Sequence, residues 1–287
     1  MMVTASHNPA LYNGIKVFTA GGRDADEVQT ADIERYIGQV KPEDIQKIEY
    51  GEAVSRGLVR EFYPRNEYLD DIMEKIDMEA IKQAHLRIAL DPMYGVSETA
   101  LSTILISGRC DFNVIHQEHD TLFGGRMPAP ARDTLGLLQN FVVDKYCDLG
   151  IATDGDADRL GVYVKDAKSG DYIPLTGNMS GSLLCDYVLS QKQAKGEIPK
   201  DGQVIKSIVT TNLVDAVAAH YGCELVEVLT GFKYIGQQIL KEEQTGKGTY
   251  MFGMEESYGC LIGTYARDKD AISATAALCE AAAYYKE

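Results

Sequence analysis

Apolar positions along the chain follow two alternating rhythms. Arg87-Ile88-Ala89-Leu90-Asp91 is a short, nearly continuous apolar run that ends at Asp91-Pro92 and Gly95. Such a run predicts a buried strand, followed here by a helix over 96–107. Phe112 to Ile115 predicts a second strand, 135–143 a second helix, and Leu149 to Thr153 a third strand. Gly161 to Val164 alternates and predicts a further strand. After the turn-rich break Lys168-Ser169-Gly170-Asp171 the rhythm returns. Helices are predicted over 178–192, 213–220, 234–243 and 271–286, and strands over 204–209, 224–228 and 249–252. Strands alternating with helices argue for an α/β fold with parallel sheets. Nearer the start, Ile33, Tyr36, Ile37 and Val40 have helical spacing and stop at Lys41-Pro42. Residues 43–66 are mixed, with a break at Tyr63-Pro64. Tyr68 to Ile76 suggests another helix.

Composition narrows the classes of function. The chain has 287 residues, enough for two or three domains, and 45% hydrophobic content, enough for real cores. Its formal net charge is -15, so the basic footprint of a nucleic-acid binder is absent. No run approaches the length of a membrane span, and no charged-then-apolar leader pattern opens the chain, so a cytoplasmic location and no membrane partner are expected. The six cysteines are far apart, with no C-x-x-C pair, and read as reduced, mostly buried thiols.

Two stretches carry candidate chemistry. Thr4-Ala5-Ser6-His7-Asn8-Pro9, with Tyr12-Asn13-Gly14-Ile15-Lys16 behind it, packs a hydroxyl, an imidazole and an ammonium among turn-forming residues. Alone it fits a polar turn or a presented nucleophile, with His7 and Lys16 as local candidates to activate Ser6. Asp154-Gly155-Asp156-Ala157-Asp158-Arg159 follows the third strand directly. Three carboxylates at alternate positions can converge on one point, where their repulsion calls for a cation. All-oxygen ligands indicate Mg²⁺ or Ca²⁺. An EF-hand would need Gly and Glu where Arg159 and Lys165 stand, so that reading fails. Open coordination positions suit Mg²⁺ that also meets a phosphate, with Arg159 offsetting charge or touching that phosphate.

With both stretches in view, the chain resembles the α-D-phosphohexomutase superfamily, which includes phosphoglucomutase and phosphomannomutase. Thr4 to Pro9 matches its T-A-S-H-N-P phosphoserine loop, and Asp154 to Arg159 its D-G-D-x-D-R metal loop. Gly253-Met254-Glu255-Glu256-Ser257-Tyr258-Gly259 matches its sugar-reading loop. The resemblance implies mixed-sheet, three-layer α/β domains in tandem: the end of domain 1 over 1–66, domain 2 over 67–170 and domain 3 over 171–287. It implies Mg²⁺ held by Ser6, Asp154, Asp156 and Asp158. It places sugar contacts at Glu255 and Ser257, and weaker substrate matches at Lys206, Gly231, Lys233 and Lys269. His7 and Lys16 become the candidates for acid and base, with their roles undivided. The other histidines, His85, His116, His119 and His220, read as surface or packing residues.

The implied reaction is phosphoryl transfer between Ser6 and a hexose phosphate, glucose above all, with glucose 1,6-bisphosphate as intermediate and activator. Phosphopentomutase and phosphomannomutase activities are the alternatives within the superfamily. A Mg²⁺- and sugar-phosphate-binding fragment without turnover is the alternative outside it. The start of domain 1 and the fourth domain, with its R-x-S-G-T loop, have no counterpart here. A piece of a longer protein, inactive by itself, is therefore expected.

Overall fold

The computed structural model describes residues 1–286. It opens with a short antiparallel ribbon of β1 (Met2–Val3) and β2 (Ile15–Lys16). The Ser6 stretch is the loop between them, closed at its base by the Thr4 N–H donating to the Gly14 carbonyl at 3.1 Å. Helix α1 (Glu27–Ile37) follows, started by a capping box between Asp26 and Gln29. It ends at Ile37, short of the expected Val40, because Gly38 caps it. Helix α2 (Tyr50–Ser55) lies in the stretch that reads as mixed.

Next come α3 (Arg65–Met73), α4 (Met78–Ala84), β3 (Arg87–Asp91), α5 (Glu98–Ser107), β4 (Asp111–Val114), α6 (Gly136–Asp144), β5 (Leu149–Thr153), β6 (Leu160–Lys165) and β7 (Tyr172–Leu175). They build a five-stranded sheet of order β4-β3-β5-β6-β7. The first three strands are parallel, but β6 pairs antiparallel with β5 and β7 antiparallel with β6. A purely parallel sheet is thus ruled out. The few residues between Thr153 and Leu160 are too short for a crossover and permit only a hairpin.

The remainder is α7 (Gly177–Ala194), β8 (Gly202–Ser207), α8 (Leu213–His220), β9 (Glu224–Val228), α9 (Phe232–Thr245), β10 (Thr249–Glu255), β11 (Gly259–Leu261) and α10 (Ala271–Tyr285). Its sheet has the order β11-β10-β8-β9, with β11 the antiparallel edge. Both sheets therefore carry a hairpin off a parallel strand, β5–β6 and β10–β11. The aspartate loop is the first hairpin loop, and Glu256 to Tyr258 is the second. Both lie at carboxyl ends of parallel strands, where open α/β sheets gather ligands.

One apolar cluster joins the two sheets. It includes Ile72, Leu90, Leu101 and Ile151 from the first half and Leu184, Phe252 and Leu278 from the second. Helix α10 lies against α3, α4 and α5 on one side and α7 and β11 on the other. Asp270 starts it, accepting from the Ile272 and Ser273 N–H groups and from the Tyr68 and Tyr265 hydroxyls. Two backbone bonds bring the halves together: Leu160 N–H donates to Tyr258 O at 2.9 Å, and Ala271 N–H to Ala157 O at 3.0 Å. Gly177 packs under the second hairpin, where a Cβ would stand 2.1 Å from the Glu256 carbonyl oxygen.

Candidate active site

Ser6 is held in the left-handed region, at φ 51°. Its N–H donates to Thr4 Oγ1 at 2.9 Å, and Thr4 Oγ1 donates to Asp156 Oδ2 at 2.8 Å. The Ser6 loop is thereby tied to the aspartate loop through a single threonine. Ser6 Oγ lies 3.3 Å from Asp154 Oδ2 and 3.2 Å from His7 Nδ1. Burial, reinforced by the Arg159 guanidinium, holds His7 below the usual imidazole range. A neutral His7 beside Ser6 Oγ can accept a proton.

The aspartate loop presents three carboxylates. Asp154 is fully buried, and its Oδ1 accepts from the Asp158 and Arg159 N–H groups, each at 2.9 Å. One oxygen each from Asp154, Asp156 and Asp158 lies within 4.8 Å of the others. Around Mg²⁺ neighbouring oxygens stand about 3 Å apart and opposite ones about 4.2 Å, so a bound ion would draw the three carboxylates closer together. Asp156 Oδ1 and Asp158 Oδ1 are buried without a hydrogen-bond partner among the described residues. Buried acceptors are rarely left so, and the all-oxygen set fits Mg²⁺. Arg159 Nε, at 3.9 Å from Asp154 and 3.8 Å from Asp158, only partly offsets their charge.

The cost of this crowding shows in Asp154. Burial, then the Asp158 and Asp156 carboxylates, push its pKa from 3.8 up to about 8. The folded chain therefore binds this proton more tightly than the unfolded one. Without a cation, the group's contribution to stability falls as pH rises through that window. Mg²⁺ must displace the proton, so its affinity rises with pH over the same range. The gain in Tm on adding Mg²⁺ is expected to be larger at pH 8 than at pH 6, by calorimetry. Equal gains would contradict a proton on the loop.

Two lysines face the aspartates. Lys16 Nζ is 2.9 Å from Asp268 Oδ2 and 3.8 Å from Asp158 Oδ2. Lys269 Nζ is 2.8 Å from Asp158 Oδ2 and 3.5 Å from Asp268 Oδ1. Burial pulls both ammonium groups down, but the carboxylates of Asp268 and Asp158 outweigh it and raise both pKa values. Both therefore stay cationic and act as hydrogen-bond donors, not bases. They line a cavity of about 420 Å³ with Asp156, Asp158, Tyr265 and Asp268.

Glu255 and Ser257 lie on the β10–β11 hairpin. Glu255 is buried and accepts from the Gly231 N–H at 2.6 Å. Gly231, at φ 121°, takes a backbone shape that other residues avoid. Lys233 reaches Glu27 at the start of α1, at 2.8 Å, and so ties α9 to the first segment. Lys206 is not brought to the cluster. It is fully buried, and its ammonium is held by Asp215 at 2.5 Å and Glu227 at 3.3 Å. Two further residues stand out only in the structure: Asp268, which clasps both lysines, and Thr4, which makes the tether. Asp268 adjoins Lys269 and Thr4 opens the Thr4 to Pro9 stretch, and that adjacency is the signal the sequence offers.

Family models of phosphoglucomutase/phosphomannomutase match the chain three times: alpha/beta/alpha domain I over residues 1–44, domain II over 66–170 and domain III over 176–287. A phosphoglucomutase of Staphylococcus epidermidis is 33% identical over 283 residues, covering 95% of this chain and 50% of the relative. One from Staphylococcus aureus is 32% identical over 282 residues, covering 95% and 49%. The chain spans about half the length of the curated relatives it matches. A crystal structure from Thermus thermophilus, assigned as a phosphomannomutase, superposes with TM-score 0.80 at 25% identity, over 100% of this chain and 60% of that one. The Aspergillus fumigatus N-acetylphosphoglucosamine mutase, solved with GlcNAc-6P and magnesium, has TM-score 0.63 at 15% identity, over 99% and 70%, a likeness of fold.

Proposed function

The chain belongs to the phosphoglucomutase/phosphomannomutase family, and on that premise we propose that it serves the interconversion of glucose 1-phosphate and glucose 6-phosphate. Ser6 is the phosphoryl carrier. A phosphoryl group on Ser6 Oγ passes to a free hydroxyl of the hexose phosphate, forming the new O–P bond, breaking the Oγ–P bond and leaving the hydroxyl proton on Ser6 Oγ, to give glucose 1,6-bisphosphate. After the sugar turns, its other phosphate returns to Oγ and the isomer leaves.

The observation that carries this reading is the 3.3 Å approach of Ser6 Oγ to Asp154 in the three-carboxylate loop. Asp154, Asp156 and Asp158 would hold Mg²⁺ beside Ser6. Bound there, it would neutralise charge on the transferring phosphoryl group. The other work falls to the chain's own groups. His7, neutral and 3.2 Å from Ser6 Oγ, takes the hydroxyl proton when Ser6 attacks. Lys16 and Lys269, kept charged by Asp268, donate toward oxygens in the cavity. Glu255 and Ser257 bind sugar hydroxyls, with Glu255 fixed by Gly231. Lys206 is left out, since Asp215 and Glu227 engage it.

The chain is tested at the half-reaction. Incubation with Mg²⁺ and phosphate-labelled glucose 1,6-bisphosphate is expected to label the protein at Ser6, read by mass spectrometry. No label in the presence of Mg²⁺ overturns the proposal. Mannose 1,6-bisphosphate in competition decides the sugar. Its preference over the glucose compound would favour phosphomannomutase, the assignment of the Thermus neighbour.

A further inference from the structure

A second acidic group, unused in the reaction, is buried directly behind the aspartate loop. Asp91 ends β3 and is 1% exposed. His116, just past β4, reaches it with Nδ1 at 3.0 and 3.1 Å from the two carboxylate oxygens. Asp91 Oδ1 also accepts from the Met93 N–H at 2.8 Å. The backbone around this pair is strained. Met93, Tyr94, His116 and Phe123 all have φ between 50 and 62°, a left-handed region that non-glycine residues enter only at a cost. Strain of this kind persists only where neighbouring contacts hold it.

The contacts lead to the aspartate loop. Tyr94 N–H donates to the His116 carbonyl at 3.0 Å, and the two rings stack at 4.8 Å. The turn then delivers Val96 N–H to the Gly155 carbonyl at 3.2 Å. Gly95 fits only because it has no Cβ, which would meet Gly155 O at 2.7 Å. Ser97 and Thr153 share a buried hydroxyl bond at 2.7 Å. Gly155 separates Asp154 from Asp156 and faces the Ser6 carbonyl.

We propose that Asp91 and His116 are a positioning pair that fixes the 92–97 turn against Gly155 and so sets the spacing of the Asp154 and Asp156 carboxylates for a small cation. The proposal rests on the Mg²⁺ reading of that loop. Mg²⁺ demands near-ideal octahedral ligands, whereas Ca²⁺ accepts longer and looser ones. Loosening the turn therefore costs Mg²⁺ affinity more than Ca²⁺ affinity, an effect that general loss of stability does not produce.

The test is calorimetric titration of the 287-residue chain with Mg²⁺ and with Ca²⁺. His116→Ala removes the donor to Asp91, and His116→Gln moves it one bond further out. Either is expected to weaken Mg²⁺ binding about tenfold, as for lost outer-sphere partners, and Ca²⁺ binding by much less. His116→Asn keeps a donor near the Nδ1 position and tolerates left-handed backbone, so it is expected to restore the parent ratio. An unchanged Mg²⁺/Ca²⁺ ratio in both the Ala and the Gln variants overturns the positioning role. A parent chain that binds Mg²⁺ nowhere overturns the metal reading itself, and with it this proposal.

Discussion

Ser6→Gly is expected to abolish phosphoryl incorporation while leaving the Tm unchanged or slightly higher. The loss is total because no second hydroxyl occupies the place of Oγ. Thr4, two residues away, already donates to Asp156 and accepts from Ser6 N–H. The stability argument runs the other way. At φ 51° the serine Cβ is a burden of about 1–2 kcal/mol that glycine does not carry, partly offset by the greater freedom of glycine in the unfolded chain. Ser6→Ala is also expected to lose all incorporation, but with no gain in Tm. Label persisting in either variant would move the carrier to another residue. A fall of several degrees in the glycine variant would show that the side chain supports the loop.

Asp156→Asn is expected to weaken Mg²⁺ binding by at least about 100-fold, yet to make the metal-free chain more stable. Asp156 presents Oδ2 to Thr4 and leaves Oδ1 buried and unpartnered. An amide of the same shape can still accept from Thr4. It cannot supply the charge that a hard cation needs. Without metal, the Asp156 carboxylate is one of the two that raise the Asp154 pKa. Neutralising it relieves that repulsion, so the proton on Asp154 loosens and the apo Tm rises. Titration calorimetry and thermal melts read the two effects separately. Unchanged Mg²⁺ affinity would remove Asp156 from the ligand set.

Much of this arrangement is legible in the amino-acid sequence. The runs at 87–91, 149–153 and 224–228 and the helix at 213–220 stand where apolar periodicity puts them. Strand β7 is not legible. It is short, carries Pro174 and fully buries only Leu175, as an edge strand can. Helices α2 and α4 span six and seven residues, too few turns to establish a period. The antiparallel direction of β6, which begins at Leu160, is hidden for another reason. Strand direction depends on loop length and pairing, not on the apolar run itself. Among site residues, the two principal loops are legible because their chemistry is contiguous in sequence. The place of Lys206 is not. The register of β8 and β9 sets it opposite Glu227, and Asp215 closes on it from α8. That pairing is written across strands and cannot be read along one. His116 likewise passes for a packing residue until Asp91, distant in sequence, lies beside it.

The apolar cluster shared by the two sheets has a mechanical consequence. The carboxylate hairpin and the Glu255–Ser257 hairpin are mounted on one continuous core and bonded across the halves by backbone at Leu160–Tyr258 and Ala157–Ala271. They therefore form a single jig. In the proposed reaction, a bisphosphate turning end over end between two visits to Ser6 would do so against walls that keep their distance, like a key reversed in a fixed lock. The accommodating parts have to be those with little hold on that core. The first segment is such a part: α1 buries none of its residues and touches the sugar-side half through the Glu27 contacts to Lys233 and Tyr234.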